Sequence, residues 1–261
     1  MRFLNLKKKS VYRPVALWAI LNVALFAFTA FTNVSATELS STDPAPWIQA
    51  GFLNPKIQII NPVVKPLEGI PLTHEFSMTA IVLRDSLWSV PEVSTRLNRV
   101  AQMYAQCGLK LDTLKIVEVT PPASLELTKV VTAENATKLA EITPTPITKP
   151  LMYFIKYLRT DPESTPPAVS LGVKEDIRPA LQNTSYISSE AKRATFERRA
   201  RRFGASIEGH ELGHVLTNGG HWDDGKDNFL SGKQDAVNGL ILPEQCKIIL
   251  ANPMVHPILN P

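Results

Sequence analysis

Residues 208–221, EGHELGHVLTNGGH, are the most informative stretch of the chain, because they hold three of the five histidines among its 261 residues. His210 and His214 are four residues apart. On a helix this spacing places both imidazoles on one face, one turn apart, where two ring nitrogens can reach a single metal ion. Glu211 lies next to the first histidine and can contact a metal-bound water without occupying a metal position itself. The stretch therefore predicts a helix with two metal ligands and a general base.

A third protein ligand is expected, because a catalytic zinc site has three protein ligands and one open position. His221 is the leading candidate. The helix should end near Asn218, since Gly219-Gly220 cannot sustain it, and a turn there would bring His221 back toward the metal. The alternative third ligands are the carboxylates of Asp223, Asp224 and, farther along the chain, Glu244. A glutamate ligand so far from the two histidines would indicate another class of zinc peptidase than a third histidine does.

Residues 210–221, HELGHVLTNGGH, resemble the active-site segment of the metzincin clan of zinc peptidases, H-E-x-x-H-x-x-G-x-x-H. The resemblance implies that His210, His214 and His221 bind one zinc ion per chain and that Glu211 is the catalytic general base. It implies an exported zinc-dependent endopeptidase, which hydrolyses peptide bonds of a protein or peptide substrate with a zinc-bound water. The fold it implies is α+β, a twisted mixed sheet with an active-site helix, a long first helix and a C-terminal helix.

Two departures from the clan pattern accompany this resemblance. Thr217 occupies the position of the clan glycine, and the interval from His214 to His221 is one residue longer. Residues 227–232, DNFLSG, resemble the clan's methionine turn with Leu230 in place of methionine, which keeps an apolar floor and loses the thioether. These departures motivate an alternative, an exported zinc-binding protein of the same fold without peptidase activity that acts as a binding or surface-interaction module. A weaker alternative is a membrane-anchored interaction protein in which the motif arises by chance.

The N-terminal 36 residues have the layout of a secretory signal peptide: five basic residues and no acid, an apolar run to about Phe31, and Val34-Ser35-Ala36 as the cleavage site. An uncleaved membrane anchor is the alternative. Removing residues 1–36 leaves 23 basic and 24 acidic residues, so the net charge changes from +4 to −1. The basic character belongs to the targeting segment, so nucleic acid is not expected as a partner, and no membrane is expected after cleavage. The predicted location is the periplasm or the cell exterior.

The remaining chain divides into a proline-rich arm, residues 37–75, and a catalytic domain, residues 76–261. Six prolines between residues 37 and 73 predict an extended arm without helix. In the domain, periodicity and breakers predict these elements: strands at 78–84, 109–119, 151–158, 169–173 and 184–188, and helices from the Ser89 cap to Gly108, at 132–142, at 189–218 and from Leu242 to about Ala251.

Two cysteines, Cys107 and Cys246, remain in the exported part of the chain. An even pair in an oxidising compartment predicts a disulfide bond, here between the end of the first long helix and the last helix. Two buried free thiols are the alternative. Trp222, next to His221, is the best aromatic candidate for a wall of the site.

Overall fold

Alternating apolar residues build one mixed β-sheet. The computed structural model describes residues 41–125, 133–158, 170–173, 179–192, 206–222, 228–231 and 239–259. The strands are β1 (Leu53–Ile60), β2 (His74–Leu83), β3 (Leu109–Thr120), β4 (Leu151–Ile155), β5 (Ser170–Val173), β6 (Thr184–Ser188) and β7 (His256–Pro257).

The strand order is β1-β3-β2-β4-β6-β5, with β7 added beside the start of β2. The central neighbours β3, β2, β4 and β6 run parallel to one another. The outer strands β1 and β5 are antiparallel to β3 and β6. This mixed sheet, together with the helices around it, gives the α+β class that the sequence predicts.

Five α-helices lie among the described residues: α1 (Ala45–Gln49), α2 (Val90–Tyr104), α3 (Ala133–Ile142), α4 (Ile207–Thr217) and α5 (Pro243–Leu250). Helix α2 has the predicted ends. Ser89 caps it by accepting a hydrogen bond from Glu92 N at 3.4 Å, and a 3₁₀ turn leads to Gly108 in the left-handed conformation.

Apolar side chains cover both faces of the sheet. In β2, Met78 and Val82 join a core cluster that includes residues of α2, α4 and α5. Ile81 and Leu83 point the other way, into a second cluster with Trp47 of α1 and residues of α3. The alternation follows from the period of two along a strand. Helix α4, which carries the histidine motif, packs on the Met78 and Val82 face of the sheet and contributes to the first cluster.

The prediction that residues 37–73 contain no helix is wrong. Helix α1 begins at Ala45, and Pro46 is tolerated in its first turn because no intrahelical N–H is needed there. Asp43 Oδ1 accepts a hydrogen bond from Ala45 N at 2.9 Å, and Trp47 packs edge-on against Phe52 at 5.2 Å. The arm then supplies β1, an edge strand, where Pro55 is tolerated because one side of the strand needs no ladder bonds.

Other boundaries differ modestly from the predictions. The third predicted strand, 151–158, ends at Ile155. Within the predicted helix 189–218, residues 189–192 form a 3₁₀ turn and α4 starts at Ile207; residues 193–205 lie outside the described part of the chain. The predicted signal peptide, residues 1–36, lies outside it as well. Within the described ranges, no helix combines the length and apolar character required to cross a membrane.

A disulfide joins Cys107, in the 3₁₀ turn that follows α2, to Cys246 in α5, with a Cα–Cα distance of 5.1 Å. This is the predicted pairing. It links two segments that are 139 residues apart in sequence and holds α5 against the end of α2.

Candidate metal centre

Helix α4 is a buried element with well-defined ends. Ser206 caps it by accepting a hydrogen bond from Gly209 N at 3.0 Å. Every residue from 208 to 217 is buried. At its start, the fully buried Glu208 pairs with Arg96 of α2 at 3.2 Å, and the Arg96 guanidinium lies over the Trp88 ring. Sequence reasoning did not identify this ion pair, which fixes the first turn of α4 to α2.

The three motif histidines converge on one point. Each offers a ring nitrogen, and these nitrogens lie within 4.8 Å of one another. The Nε2 atoms of His210 and His214 are 3.1 Å apart, close to the roughly 3.3 Å that two ligands of a tetrahedral zinc would have at ordinary Zn–N lengths. His210 and His214 are buried, whereas His221 is exposed, so the cluster is reached from the His221 side.

Backbone carbonyls orient both buried histidines. His210 Nδ1 lies 2.5 Å from Phe229 O, and His214 Nδ1 lies 2.9 Å from Gly219 O. A carbonyl can only accept, so each Nδ1 carries a proton and donates it, and each neutral ring has a lone pair on Nε2. Two lone pairs 3.1 Å apart repel one another unless a cation is shared between them. The donor set therefore fits a metal ion.

Burial keeps the imidazoles of His210 and His214 neutral, which is the protonation state that binds a metal. It lowers the pKa of His210 to about 4. It also lowers the pKa of His214, against the opposing effect of the Glu211 charge. A metal ion and a proton compete for the same imidazole nitrogen, so a lowered pKa favours metal binding. Both rings are thus neutral and ready to bind at neutral pH.

Glu211 is buried, with 6 % of its surface exposed, and it lies one residue from His210 on the same helix. Its charge acts on His214, so the carboxylate lies within electrostatic reach of the cluster. The alternative ligands Asp223 and Asp224 lie outside the described residues. Glu244 is exposed at the start of α5 and is absent from the group of potential metal ligands found among the described residues.

Helix α4 ends beside Asn218, as predicted, and a turn there brings His221 toward His210 and His214. The helix ends at Thr217, and the left-handed residue is Asn218, with φ 47° and ψ 37°. Gly219 and Gly220 do not have positive φ, so Asn218 rather than the glycine pair takes the left-handed conformation. Asparagine tolerates this conformation better than most residues. Asn218, one position after Thr217, thus makes the left-handed turn that ends the helix.

The floor beneath the histidine helix is the segment Phe229-Leu230, where the sequence predicts the counterpart of the methionine turn. Both side chains are buried. A Cβ on Gly213 would lie 2.1 Å from Phe229 Cε2 and 3.0 Å from Leu230 Cδ2. Only glycine lets the helix approach the floor this closely. Gly213 is the second middle residue of H-E-x-x-H, and sequence reasoning assigned it no packing role.

Trp222 is half-buried and packs against the first core cluster. Its backbone N donates to Leu230 O at 2.9 Å, so the loop carrying His221 is joined to the floor. Two further residues, Asn228 and Gln245, bond to this region and were not identified from the sequence. Asn228 is recognisable only as a turn-forming residue, and Gln245 gives no local signal.

Neither a scan against protein-family models nor a search of curated proteins finds a match for this chain. The resemblance to the metzincin segment therefore remains one of sequence, over residues 208–232.

Proposed function

We propose that this protein is an exported, metzincin-like, zinc-dependent endopeptidase that acts on a protein or peptide substrate. His210, His214 and His221 hold the zinc, one ion per chain, and Glu211 is the general base. The observation that carries the proposal is the convergence of three imidazoles, two of them locked with free Nε2 lone pairs, beside a buried carboxylate on the same helix.

The donor set favours a transition metal, and zinc is the one we propose. Three imidazole ligands suit zinc, copper, iron and nickel, whereas calcium and magnesium prefer oxygen ligands. Three protein ligands with an open fourth position are the arrangement of catalytic zinc sites, whereas structural sites are closed by four ligands. When bound, zinc supplies a Lewis acid that polarises a carbonyl and lowers the pKa of a coordinated water toward neutrality.

The chain's own residues then divide the remaining work. Glu211 accepts the proton of the attacking water and delivers it to the amine nitrogen released when the peptide C–N bond breaks. His221 lies on the exposed side of the cluster, so a substrate carbonyl approaches from there. Trp222 follows His221 and supplies an apolar wall next to the scissile bond.

The Cys107–Cys246 disulfide supports the exported location, because stable disulfides form in the periplasm and outside the cell. The signal peptide over residues 1–36 with cleavage after Ala36 completes this proposal. The N-terminal sequence of the protein purified from the medium or periplasm tests it, and an intact N-terminus in the membrane fraction would favour the anchor.

The first experiment measures metal content and zinc affinity of the wild type, His221→Ala and His256→Ala. His256 is an exposed histidine of β7 outside the cluster, so its variant controls for the loss of any histidine. We expect one zinc per chain in the wild type and in His256→Ala, and markedly weaker binding in His221→Ala. Full zinc in His221→Ala would move the third ligand to Asp223, Asp224 or Glu244.

A second experiment separates the peptidase from the non-catalytic zinc-binding module. Unfolded protein substrates are incubated with the wild type and with Glu211→Gln, and the products are identified by mass spectrometry. Cleavage by the wild type and its loss in Glu211→Gln, with zinc retained, is expected, because the amide cannot accept the proton. Zinc binding without cleavage by the wild type would favour the binding module.

A further inference from the structure

A chain of buried side-chain amides connects α5 to the loop of the third histidine. Leu242 N donates to Gln245 Oε1 at 2.9 Å. Gln245 Nε2 donates to Asn228 Oδ1 at 2.9 Å. Asn228 Nδ2 donates to Trp222 O at 3.1 Å. Both amide side chains belong to fully buried residues, where a broken hydrogen bond is costly because water cannot replace it.

The direction of this amide chain is fixed at both ends. It starts at a backbone N–H of Leu242, which can only donate, and ends at the backbone carbonyl of Trp222, which can only accept. Gln245 must therefore turn its oxygen toward Leu242 and its nitrogen toward Asn228. Asn228 must in turn direct its nitrogen toward Trp222. Gln245 thus supports the Asn228 amide from behind by donating to its oxygen, and a flipped Asn228 amide would place its oxygen against Trp222 O and its nitrogen against Gln245 Nε2.

The amide chain ends on the residue that follows His221. The Trp222 backbone is bonded on both sides to residues 228–230: its N donates to Leu230 O at 2.9 Å, and its O accepts from the Asn228 side chain. Asn228 Oδ1 also accepts from Leu230 N at 2.8 Å. His210 and His214 lie on a buried helix, but His221 is exposed on a loop, so its place depends on how that loop backbone is held.

We propose that Asn228 and Gln245 are positioning residues for the third metal ligand. They hold the Trp222 backbone so that His221 meets His210 and His214. The inference rests on the proposed metal site, and it extends that site to a residue of α5, next to the disulfide cysteine Cys246. Groups that hydrogen-bond directly to metal ligands usually contribute 10–100-fold to metal affinity, and Asn228 and Gln245 act one step farther out, through the Trp222 backbone.

The test measures zinc dissociation constants by chelator competition for the wild-type protein, Gln245→Met and Gln245→Glu. Methionine keeps the length of glutamine and removes both polar groups. Glutamate keeps the acceptor for Leu242 and serves if the methionine variant fails to fold. We expect zinc binding to weaken by roughly 10-fold, the lower end of the range for direct partners of ligands. Tyr186→Phe is the matched control, since it removes one buried hydrogen bond, to Ala136 O, on the opposite face of the sheet.

A double-mutant cycle with His221→Ala identifies the ligand through which Gln245 acts. If Gln245 positions His221, the Gln245 substitution should change zinc affinity by no more than about 2-fold once His221 is absent. Equal weakening in both backgrounds would overturn the inference, as would unchanged zinc affinity in both Gln245 variants or an equal loss in Tyr186→Phe. Failure of the wild type to bind zinc is a different result, which would overturn the proposed function and this inference with it.

Discussion

Replacing Gly213 by alanine tests whether the close contact between α4 and the floor segment, Phe229-Leu230, holds the histidines of α4 in place. The added Cβ would lie 2.1 Å from Phe229 Cε2 and 2.8 Å from Phe229 Cζ, well inside any contact that real atoms adopt. The Phe229 ring cannot simply rotate away, because it is buried and packs edge-on against Tyr104 at 6.0 Å. Either the helix or the floor must move.

The size of the effect follows from two opposing contributions. Overpacking a core costs about 1–3 kcal/mol, and a rigid ring at 2.1 Å places this variant at the upper end. Alanine in a helix interior is favoured over glycine by about 1 kcal/mol. The free energy of unfolding of the metal-free protein should therefore fall by about 2 kcal/mol. Zinc affinity should fall roughly 10-fold, because Phe229 O orients His210.

Gly209→Ala is the matched control, because it makes the same exchange in the same helix. There the added Cβ would meet Met103 Cε at 2.6 Å and Sδ at 3.1 Å, and a methionine side chain can move aside. This variant should range from unchanged to about 1 kcal/mol more stable. Urea unfolding of both metal-free variants and zinc competition give the comparison. The reasoning is refuted if Gly213→Ala matches Gly209→Ala in both stability and zinc affinity.

Three further predictions concern the turn, the disulfide and the buried histidines. Asn218→Val should be about 1–2 kcal/mol less stable than Asn218→Gly in urea unfolding, because a branched side chain is strained at φ 47°; equal stabilities would contradict this. Replacing Cys107 and Cys246 together by serine should lower the free energy of unfolding by about 5 kcal/mol on the loop-entropy relation for 139 residues, and an unchanged urea midpoint would argue against it. The metal-free protein should lose stability as the pH falls from 6.5 toward about 4, because burial lowers the pKa of His210 to about 4 and the unfolded chain takes up the proton first. The urea midpoint followed over this range should fall less in His210→Gln, and an equal fall in both proteins would assign the loss to other groups.

The parts of the fold that could be predicted from the sequence are those with local causes. Helix α2 combines a serine cap, apolar residues at helical spacing and a glycine stop within residues 89–108. Helix α5 starts where Leu242-Pro243 predicts it. The same holds for the pair His210 and His214, whose common face follows from helix geometry alone.

The features that could not be predicted depend on residues distant in sequence or on exceptions to a local rule. Proline density in the arm predicts no helix, yet α1 forms because its prolines fall at the helix start and Trp47 is buried. The requirement for glycine at position 213 comes from Phe229, and the role of Gln245 comes from Asn228. Neither partner is visible in the local pattern, because burial and side-chain direction decide both contacts.

The two buried histidines are oriented by neutral groups, which bears on how the metal would behave. Phe229 O and Gly219 O hold the Nδ1 protons, as a carboxylate does in many metal sites, but a carbonyl adds no charge and raises the basicity of the ligand less. Three imidazole ligands would leave most of the charge of a divalent ion uncompensated. Glu211 supplies negative charge that acts on His214 and lies beside a ligand in the helix. An electron-poor metal with the Glu211 carboxylate nearby would be suited to activating water, whereas a purely structural site is commonly closed by thiolates. This difference favours the hydrolytic proposal over the binding module.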